Sequence, residues 1–159
     1  MTVHTWRIAT DTPDYGADDM SGEGARHTGG RWNRPGTPVV YTATTRALAG
    51  LETFAYPGGD ALPLNRYLVR FDIPATIWKR AQKIDPVSSL AGWDARPYGV
   101  VSLDLGDAWL LSSASALLIV PSATIPEEFN VLINPRHMES AKIRASRVRK
   151  WNYNALIRC

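Results

Sequence analysis

The run Gly29-Gly30-Arg31-Trp32-Asn33-Arg34-Pro35-Gly36, followed by Val40-Tyr41-Thr42-Ala43, is the most informative part of this 159-residue chain. Two adjacent glycines let the backbone approach a ligand closely, because no Cβ stands in the way. Arg31 offers a planar fork of N–H donors that suits phosphate oxygens. Tyr41, in a short β-rich run, can present its ring as a stacking surface. Together these residues are compatible with a cradle for a nucleotide that carries a flat aromatic group.

A purely structural explanation of the same run stays open. The glycines would then make the turns of a β-hairpin, and Arg31 would be a surface charge. The run matches neither the G-x-G-x-x-G dinucleotide pattern nor a P-loop. The chain also has no G-x-S-x-G nucleophile motif and no spacing typical of metal ligands.

The residues around this run predict strands, a loop and one helix. Residues 4–9 predict a first strand with Trp6 and Ile8 on one face, and residues 39–43 predict a second. Residues 11–30, rich in Gly and Asp, predict a long surface loop. Thr44 is suited to cap a helix that continues through Tyr56.

The C-terminal part predicts more short strands and one short helix. We expect a half-buried strand over residues 64–73 and a turn-rich segment over residues 85–99. A short helix is expected over residues 106–113, followed by strands over residues 116–120 and 129–133. The last strand, near a sheet edge, is expected over residues 141–149. Short strands with few β-α-β units indicate an α+β fold. The length fits one domain over residues 1–159.

The composition is that of an ordinary globular protein, with 45% hydrophobic and 21% charged residues and a net charge of +3. One cysteine, Cys159, excludes an intrachain disulfide. No apolar run of the signal-peptide or membrane-spanning type is present, so we expect a soluble cytoplasmic protein without membrane contact. Five basic residues cluster near the C-terminus and fit a solvated strand face better than a nucleic-acid surface: Lys142, Arg144, Arg147, Arg149 and Lys150.

Two further candidates for chemistry lie downstream of the glycine pair. Glu52 borders an apolar stripe of Leu48, Leu51 and Ala55 in the predicted helix, where a carboxylate can point into a cleft or lie exposed to solvent. Serines flank the apolar run at residues 117–120, and such a hydroxyl can bind a ligand phosphate or ribose, or cap a turn. The candidates are Ser112, Ser113, Ser115 and Ser122.

Taken together, GGRWN-x-PGTPVVYTA, LAGLE and ALLIVPSATIPEEFNVLINPRH resemble the RES domain, which is named after Arg, Glu and Ser positions. The resemblance extends from about Trp6 to His137. It implies a bacterial toxin paired with an antitoxin that carries an Xre-like helix-turn-helix region. It also implies an ADP-ribosyltransferase-like mixed β-sheet core with flanking helices, and the consumption of NAD+ without a metal.

The resemblance assigns the family's positions residue by residue. Arg31 would hold a phosphate, and Tyr41 would pack on the nicotinamide or its ribose. Glu52 would stabilise the ribosyl cation, and Ser122 would bind a phosphate or ribose oxygen, although Ser112 and Ser113 lie nearby. The predicted NAD+ site also includes Gly30, Trp32 and Asn33.

The resulting hypothesis is a toxin that cleaves the nicotinamide–ribose bond of NAD+ and transfers ADP-ribose to a host protein. One alternative is an NAD+ glycohydrolase or phosphorylase that depletes cellular NAD+. Another, of a different class, is a non-enzymatic module that binds a nucleotide or a nucleic acid. The expected partners are a cognate Xre-like antitoxin and a host target protein, without direct nucleic-acid binding by this chain.

Overall fold

A mixed seven-stranded β-sheet forms the centre of the computed structural model, which describes residues 1–55, 65–87 and 91–153. Its strands are β1 (Thr2–Thr10), β2 (Val40–Ala43), β3 (Arg66–Pro74), β4 (Gln82–Lys83), β5 (Leu117–Pro121), β6 (Phe129–Ile133) and β7 (Arg144–Lys150). They lie in the order β4-β5-β6-β2-β1-β3-β7, and β4 and β5 form the parallel pair.

The sheet is split between β1 and β2. β1 pairs with β3 along all nine of its residues, and β2 pairs with β6 along all four of its own. β1 and β2, in contrast, are paired at one position, where Trp6 lies opposite Ala43. The two halves of the sheet therefore diverge beyond this position, which leaves an opening on one side.

Four α-helices and one 3-10 helix lie among the described residues. They are α1 (Glu23–Thr28), α2 (Arg46–Glu52), α3 (Ala75–Trp78), α4 (Val100–Ser112) and the 3-10 helix Met138–Lys142. α1 lies within residues 11–30, so the prediction of a continuous loop there was wrong in part. It buries none of its residues and starts after Gly22 at φ 73°, without a side-chain cap, which explains the missing sequence signal.

α2 begins one residue later than predicted. Thr45 caps it, because its side chain accepts a hydrogen bond from the Leu48 amide. The hydroxyl of Thr44 donates instead to the carbonyl of Phe129 at 3.1 Å. α2 ends at Glu52 rather than at Tyr56, which lies outside the described residues.

α4 has 13 residues and begins six residues before the predicted segment, so Gly106 and Asp107 lie in its middle and not at its start. A Cβ on Gly106 would lie 1.7 Å from the carbonyl oxygen of Trp32. The helix therefore packs directly on backbone at this point, and only glycine permits that distance. The glycine that resembles a helix boundary in the sequence is a packing contact.

The strands bury side chains on both faces of the sheet. Phe71 and Ile73 belong to one core cluster, and Leu118 and Leu132 belong to another, which includes Trp32 and Trp109 from outside the strands. The predicted α+β class is confirmed. β7 lies at the sheet edge as expected. Within the described ranges, the helices are too short or too polar to cross a membrane.

Candidate active site

A cleft of about 590 Å³ lies along the split between β1 and β2. This volume lies within the range of about 300–1,000 Å³ that is typical of small-molecule sites. Four of the predicted site residues line it: Arg31, Trp32, Tyr41 and Glu52. Arg31 and Glu52 are 21 positions apart in the sequence, and the fold brings them to one cavity.

Glu52 is the last residue of α2, and its carboxylate is held by two side chains from the β5–β6 region. The Ser122 hydroxyl donates to Oε1 at 2.5 Å, and the Asn130 amide donates to the same oxygen at 2.9 Å. Both donors act on one oxygen, and the residue is half-buried and lines the cleft. We call Glu52, Ser122 and Asn130 the acidic wall.

Ser122 lies behind Glu52 and does not itself line the cleft. It is fully buried, and its oxygen accepts the amides of Thr124 and Ile125 at 3.1 and 3.2 Å. Its hydrogen-bonding capacity is thus used within the protein. Ser112 donates to the Trp109 carbonyl at the end of α4, and Ser113 is the left-handed C-cap of that helix. Neither hydrogen-bonds to Glu52.

Arg31 occupies a tight turn at residues 30–33, which we call the arginine turn. Gly30 and Asn33 close it with two backbone hydrogen bonds, at 2.9 and 3.3 Å. The Nη1 of Arg31 donates to the carbonyls of Trp93 and Ala95, at 3.1 and 2.8 Å. Its guanidinium is therefore fixed beside the cleft by backbone oxygens.

Tyr41 supports this turn from β2. Its hydroxyl donates to the Asn33 side-chain oxygen at 2.6 Å and accepts the Trp32 amide at 3.1 Å. A Cβ on Gly30 would lie 2.7 Å from the same hydroxyl oxygen. The glycine at position 30 therefore makes room for the hydroxyl of Tyr41, and not for a ligand as the sequence suggested.

Asn33 and Trp32 have structural positions in the arginine turn. The Asn33 side chain is fully buried, and its amide donates to the carbonyls of Ala25 and Thr37 at 2.9 and 3.0 Å. The indole of Trp32 is buried and stacks on Trp93 with 6.3 Å between ring centroids. Gly30 and Asn33 do not line the cleft.

Arg34 joins the arginine turn to α4. Its guanidinium pairs with Asp104 and Asp107, each at 2.7 Å. Hydrogen bonds to these two carboxylates raise the pKa of Arg34 above its ordinary value. Arg34 is therefore committed to fixing the turn, which leaves Arg31 as the guanidinium of the turn that faces the cleft.

Among the polar residues of the cleft that sequence reasoning missed, two arginines and one asparagine stand out by their chemistry. Arg7 and Arg66 line it from β1 and β3, and Asn130 lines it from β6. Asparagine is rare within strands, so Asn130 in the run Phe129–Ile133 was a readable signal of a special role. Arg7 and Arg66 gave no such signal, because arginine is common on half-exposed strand faces.

Within residues 1–55, 65–87 and 91–153, no group of three or more His, Cys, Asp or Glu side chains is placed to hold a metal ion. The cleft lining instead includes three guanidinium groups and two carboxylates, those of Asp19 and Glu52, and the Glu52 carboxylate is oriented by Ser122 and Asn130. The cleft can bind an anionic ligand and place a negative charge beside it.

Comparison with known proteins gives a consistent result. The model of a family described as "RES domain" matches residues 4–155. A protein of Sphingobium sp. (strain YBL2) named "Prs ADP-ribosylating toxin" is 50% identical over 154 residues, which cover 97% of this chain and 96% of that protein. Two proteins named "Toxin Res" are each 37% identical to this chain. The match to the protein of Photorhabdus laumondii covers 76% of this chain and 76% of that protein. The match to the protein of Pseudomonas putida covers 87% of this chain and 90% of that protein.

Proposed function

The chain belongs to the RES-domain family, and from this premise we propose that it is an ADP-ribosylating toxin that uses NAD+ as its substrate. Its 50% identical relative, which it matches over nearly the full length of both chains, is named for ADP-ribosylation. The proposed reaction transfers the ADP-ribosyl group to a side chain of a host protein, with release of nicotinamide.

In this reaction the bond between the ribose C1′ and the nicotinamide nitrogen breaks. Its electron pair stays with the ring, which leaves as neutral nicotinamide, and the ribose becomes an oxocarbenium ion. A nucleophilic side chain of the acceptor then bonds to C1′ and loses a proton. The transition state is cationic at the ribose, as in glycoside cleavage. A carboxylate fixed beside the ribose stabilises it without reorganisation.

The acidic wall is the observation that supports this assignment most strongly. Ser122 and Asn130 both donate to Oε1 of Glu52, so the carboxylate is oriented before any substrate binds. Ser122 is proposed to act through Glu52, because its hydroxyl is buried behind that residue and away from the cleft. Glu52 would stabilise the ribosyl cation and bind the ribose hydroxyls.

The arginine turn is proposed to hold the substrate. Arg31 would bind the pyrophosphate, and the ring of Tyr41 would pack on the nicotinamide or its ribose. Both residues line the same cleft as Glu52. Gly30, Trp32 and Asn33 would serve the site indirectly, since they shape the turn and anchor Tyr41.

Two protein partners follow from this proposal. The acceptor is a host protein, and the name of the 50% identical relative makes Prs the first one to test. A cytoplasmic toxin of this kind also needs a neutralising partner, which we propose to be an Xre-like antitoxin. A segment that covers Arg31 and Glu52 would neutralise the toxin most directly, and a carboxylate in it could occupy the place of a phosphate.

The proposal is tested with NAD+ that is labelled in its adenylate phosphate. The purified chain is incubated with this NAD+ and either host extract or purified Prs. Label is expected in a protein band, together with free nicotinamide in equal amount. Glu52→Gln should lower both signals by about 10²–10³-fold. Glu127→Gln, which makes the same change at an exposed carboxylate, should keep them.

Label that is found only in small molecules would refute transfer to a protein and indicate hydrolysis or phosphorolysis of NAD+. Absence of nicotinamide release would refute the enzymatic proposal altogether. Expression of the chain alone should arrest growth, and co-expression of its antitoxin should restore growth. A toxin–antitoxin complex that still cleaves NAD+ at the rate of the free chain would exclude occlusion of the cleft.

A further inference from the structure

Glu52 lies at the end of a short helix, and the end of such a helix frays easily. α2 has seven residues, of which three, Leu48, Ala49 and Gly50, are buried. The residues that follow Glu52 continue in turns and not in a regular helix. The side-chain bonds of the acidic wall do not fix this backbone. The backbone here is held by turn hydrogen bonds, such as that from the Ala55 amide to the Glu52 carbonyl at 3.2 Å, and contacts from elsewhere in the chain can add to this order.

Residues 151–153, which follow β7, contact this helix end at several points. The Trp151 amide donates to the Arg66 carbonyl at 2.8 Å and anchors the segment to β3. The indole of Trp151 packs so closely on Gly50 that a Cβ there would lie 3.2 Å from it. Tyr153 meets Phe54 edge to face, with 5.4 Å between ring centroids.

A chain of hydrogen bonds runs through the hydroxyl of Tyr153. Arg66 donates to this hydroxyl at 3.0 Å, and the hydroxyl donates to Thr53 Oγ1 at 3.0 Å. Thr53 in turn donates to the Gly50 carbonyl at 2.6 Å. Each group donates in the same direction, so the bonds polarise and strengthen one another. The chain ends on the last turn of α2, next to Glu52.

We propose that residues 151–153 form a C-terminal clamp that positions Glu52 for catalysis, with Tyr153 as its main positioning residue. This proposal rests on the role of Glu52 in the proposed function. The clamp touches no substrate in this scheme and acts through the backbone of α2. A displacement of about 1 Å in a reacting group can cost about 10²-fold in rate, so a small shift of this helix end would matter.

Tyr153→Phe tests the clamp, because it removes the hydroxyl and keeps the ring against Phe54. We expect kcat for nicotinamide release to fall by about 5- to 10-fold, the factor that corresponds to one net hydrogen bond, with KM for NAD+ unchanged. Tyr67→Phe is the matched control. Tyr67 is a neighbouring β3 residue that does not line the cleft, and this change should leave both constants unaltered.

The decisive measurement repeats Tyr153→Phe in the Glu52→Gln background, with the full-length chain throughout. If Tyr153 acts through Glu52, it should cause no further fall in kcat there. An equal fall in both backgrounds would overturn the proposal. So would a lowered unfolding temperature with an unchanged kcat per folded molecule, which marks a purely structural role.

The same experiment separates failure of the clamp from failure of the proposed function. If Glu52→Gln alone leaves kcat unaltered, the catalytic assignment is wrong, and the clamp falls with it. If Glu52→Gln lowers kcat as expected and Tyr153→Phe leaves kcat unaltered, only the clamp is overturned.

Discussion

The acidic wall and the arginine turn face the same cleft, but they hold their functional groups in different ways. Glu52 receives its hydrogen bonds from two side chains, and both converge on one of its oxygens. Arg31 instead donates to two backbone carbonyls, those of Trp93 and Ala95. In the proposed mechanism, a phosphate that binds Arg31 through the same nitrogen would have to replace these carbonyls, whereas a ribosyl cation would meet a Glu52 carboxylate that is already oriented.

This difference separates the expected kinetic effects of the two regions. A group that is preorganised for the transition state affects kcat, and a group that binds substrate and transition state equally affects KM. Substitutions in the acidic wall should therefore lower kcat, and substitutions in the arginine turn should raise KM. The variants below test this division in order of decreasing effect.

Glu52→Gln should have the largest effect. It keeps the size of the side chain and removes the charge that opposes the oxocarbenium ion. We expect a fall in kcat of about 10²–10³-fold with KM for NAD+ nearly unchanged. Steady-state nicotinamide release measures both constants. Turnover close to that of the unmodified chain would remove Glu52 from the mechanism and refute the proposed division between kcat and KM effects.

Arg31→Ala should change KM and leave kcat nearly unchanged. We expect KM for NAD+ to rise by about 10- to 100-fold, because a hydrogen bond to a charged group contributes roughly 1.5–3 kcal/mol. Arg31→Lys should raise KM for NAD+ less than Arg31→Ala does, since it keeps the positive charge and loses the planar fork of N–H donors. Arg26→Ala on α1, where Glu23 is the salt-bridge partner, is the control. An unchanged affinity and toxicity in Arg31→Ala would place the phosphate site elsewhere.

Ser122→Ala distinguishes two roles for this serine. If it orients Glu52, kcat should fall by about 10-fold with KM unchanged, because one charge-assisted hydrogen bond is lost. If it binds a phosphate or ribose directly, KM should rise instead. Ser112→Ala, at the end of α4, serves as the control and should alter neither constant. A rise in KM would contradict the indirect role that its burial indicates.

Tyr41→Phe should show the smallest effect on turnover and a measurable one on stability. It leaves the buried Asn33 oxygen and the Trp32 amide without the tyrosine hydroxyl. We expect the free energy of unfolding in urea to fall by about 1–3 kcal/mol, while the ring remains available to the substrate. A stability equal to that of the unmodified chain would show that the arginine turn does not depend on this hydroxyl.

Much of the fold was predictable because its signals are local. Alternation placed β3, and the positions of β1, β2, β5 and β6 followed from short apolar runs. The misplaced boundaries all have tertiary causes. Thr44 and Thr45 are equivalent helix caps in the sequence, and the bond from Thr44 to Phe129 decides between them. Of the predicted apolar stripe, Leu48 is buried as expected, whereas Leu51 and Ala55 are exposed because the fold buries Ala49 and Gly50 instead.

The candidate site shows the same limit. The family resemblance pointed to Glu52 and Ser122 separately, but their hydrogen bond joins residues 70 positions apart, and no periodicity encodes it. An asparagine within a strand marks Asn130 as unusual in the sequence, but only the fold shows that its partner is the Glu52 carboxylate. The glycine pair was understood as space for a ligand, and the structure fills the space at Gly30 with Tyr41. Sequence indicated which residues matter, and geometry assigned them their partners.

The contact at Gly106 has a consequence for genetics. Any larger residue there would force α4 away from the Trp32 carbonyl, and with it the turn that carries Arg31. Every amino-acid replacement that a single base change makes in a glycine codon introduces a Cβ. In a selection for cells that survive expression of this toxin, escape mutations should therefore recur at codon 106 as well as at codons 31 and 52. Survivors with a mutation at codon 106 would keep every residue of the candidate site, but their protein would not place these residues in one cleft.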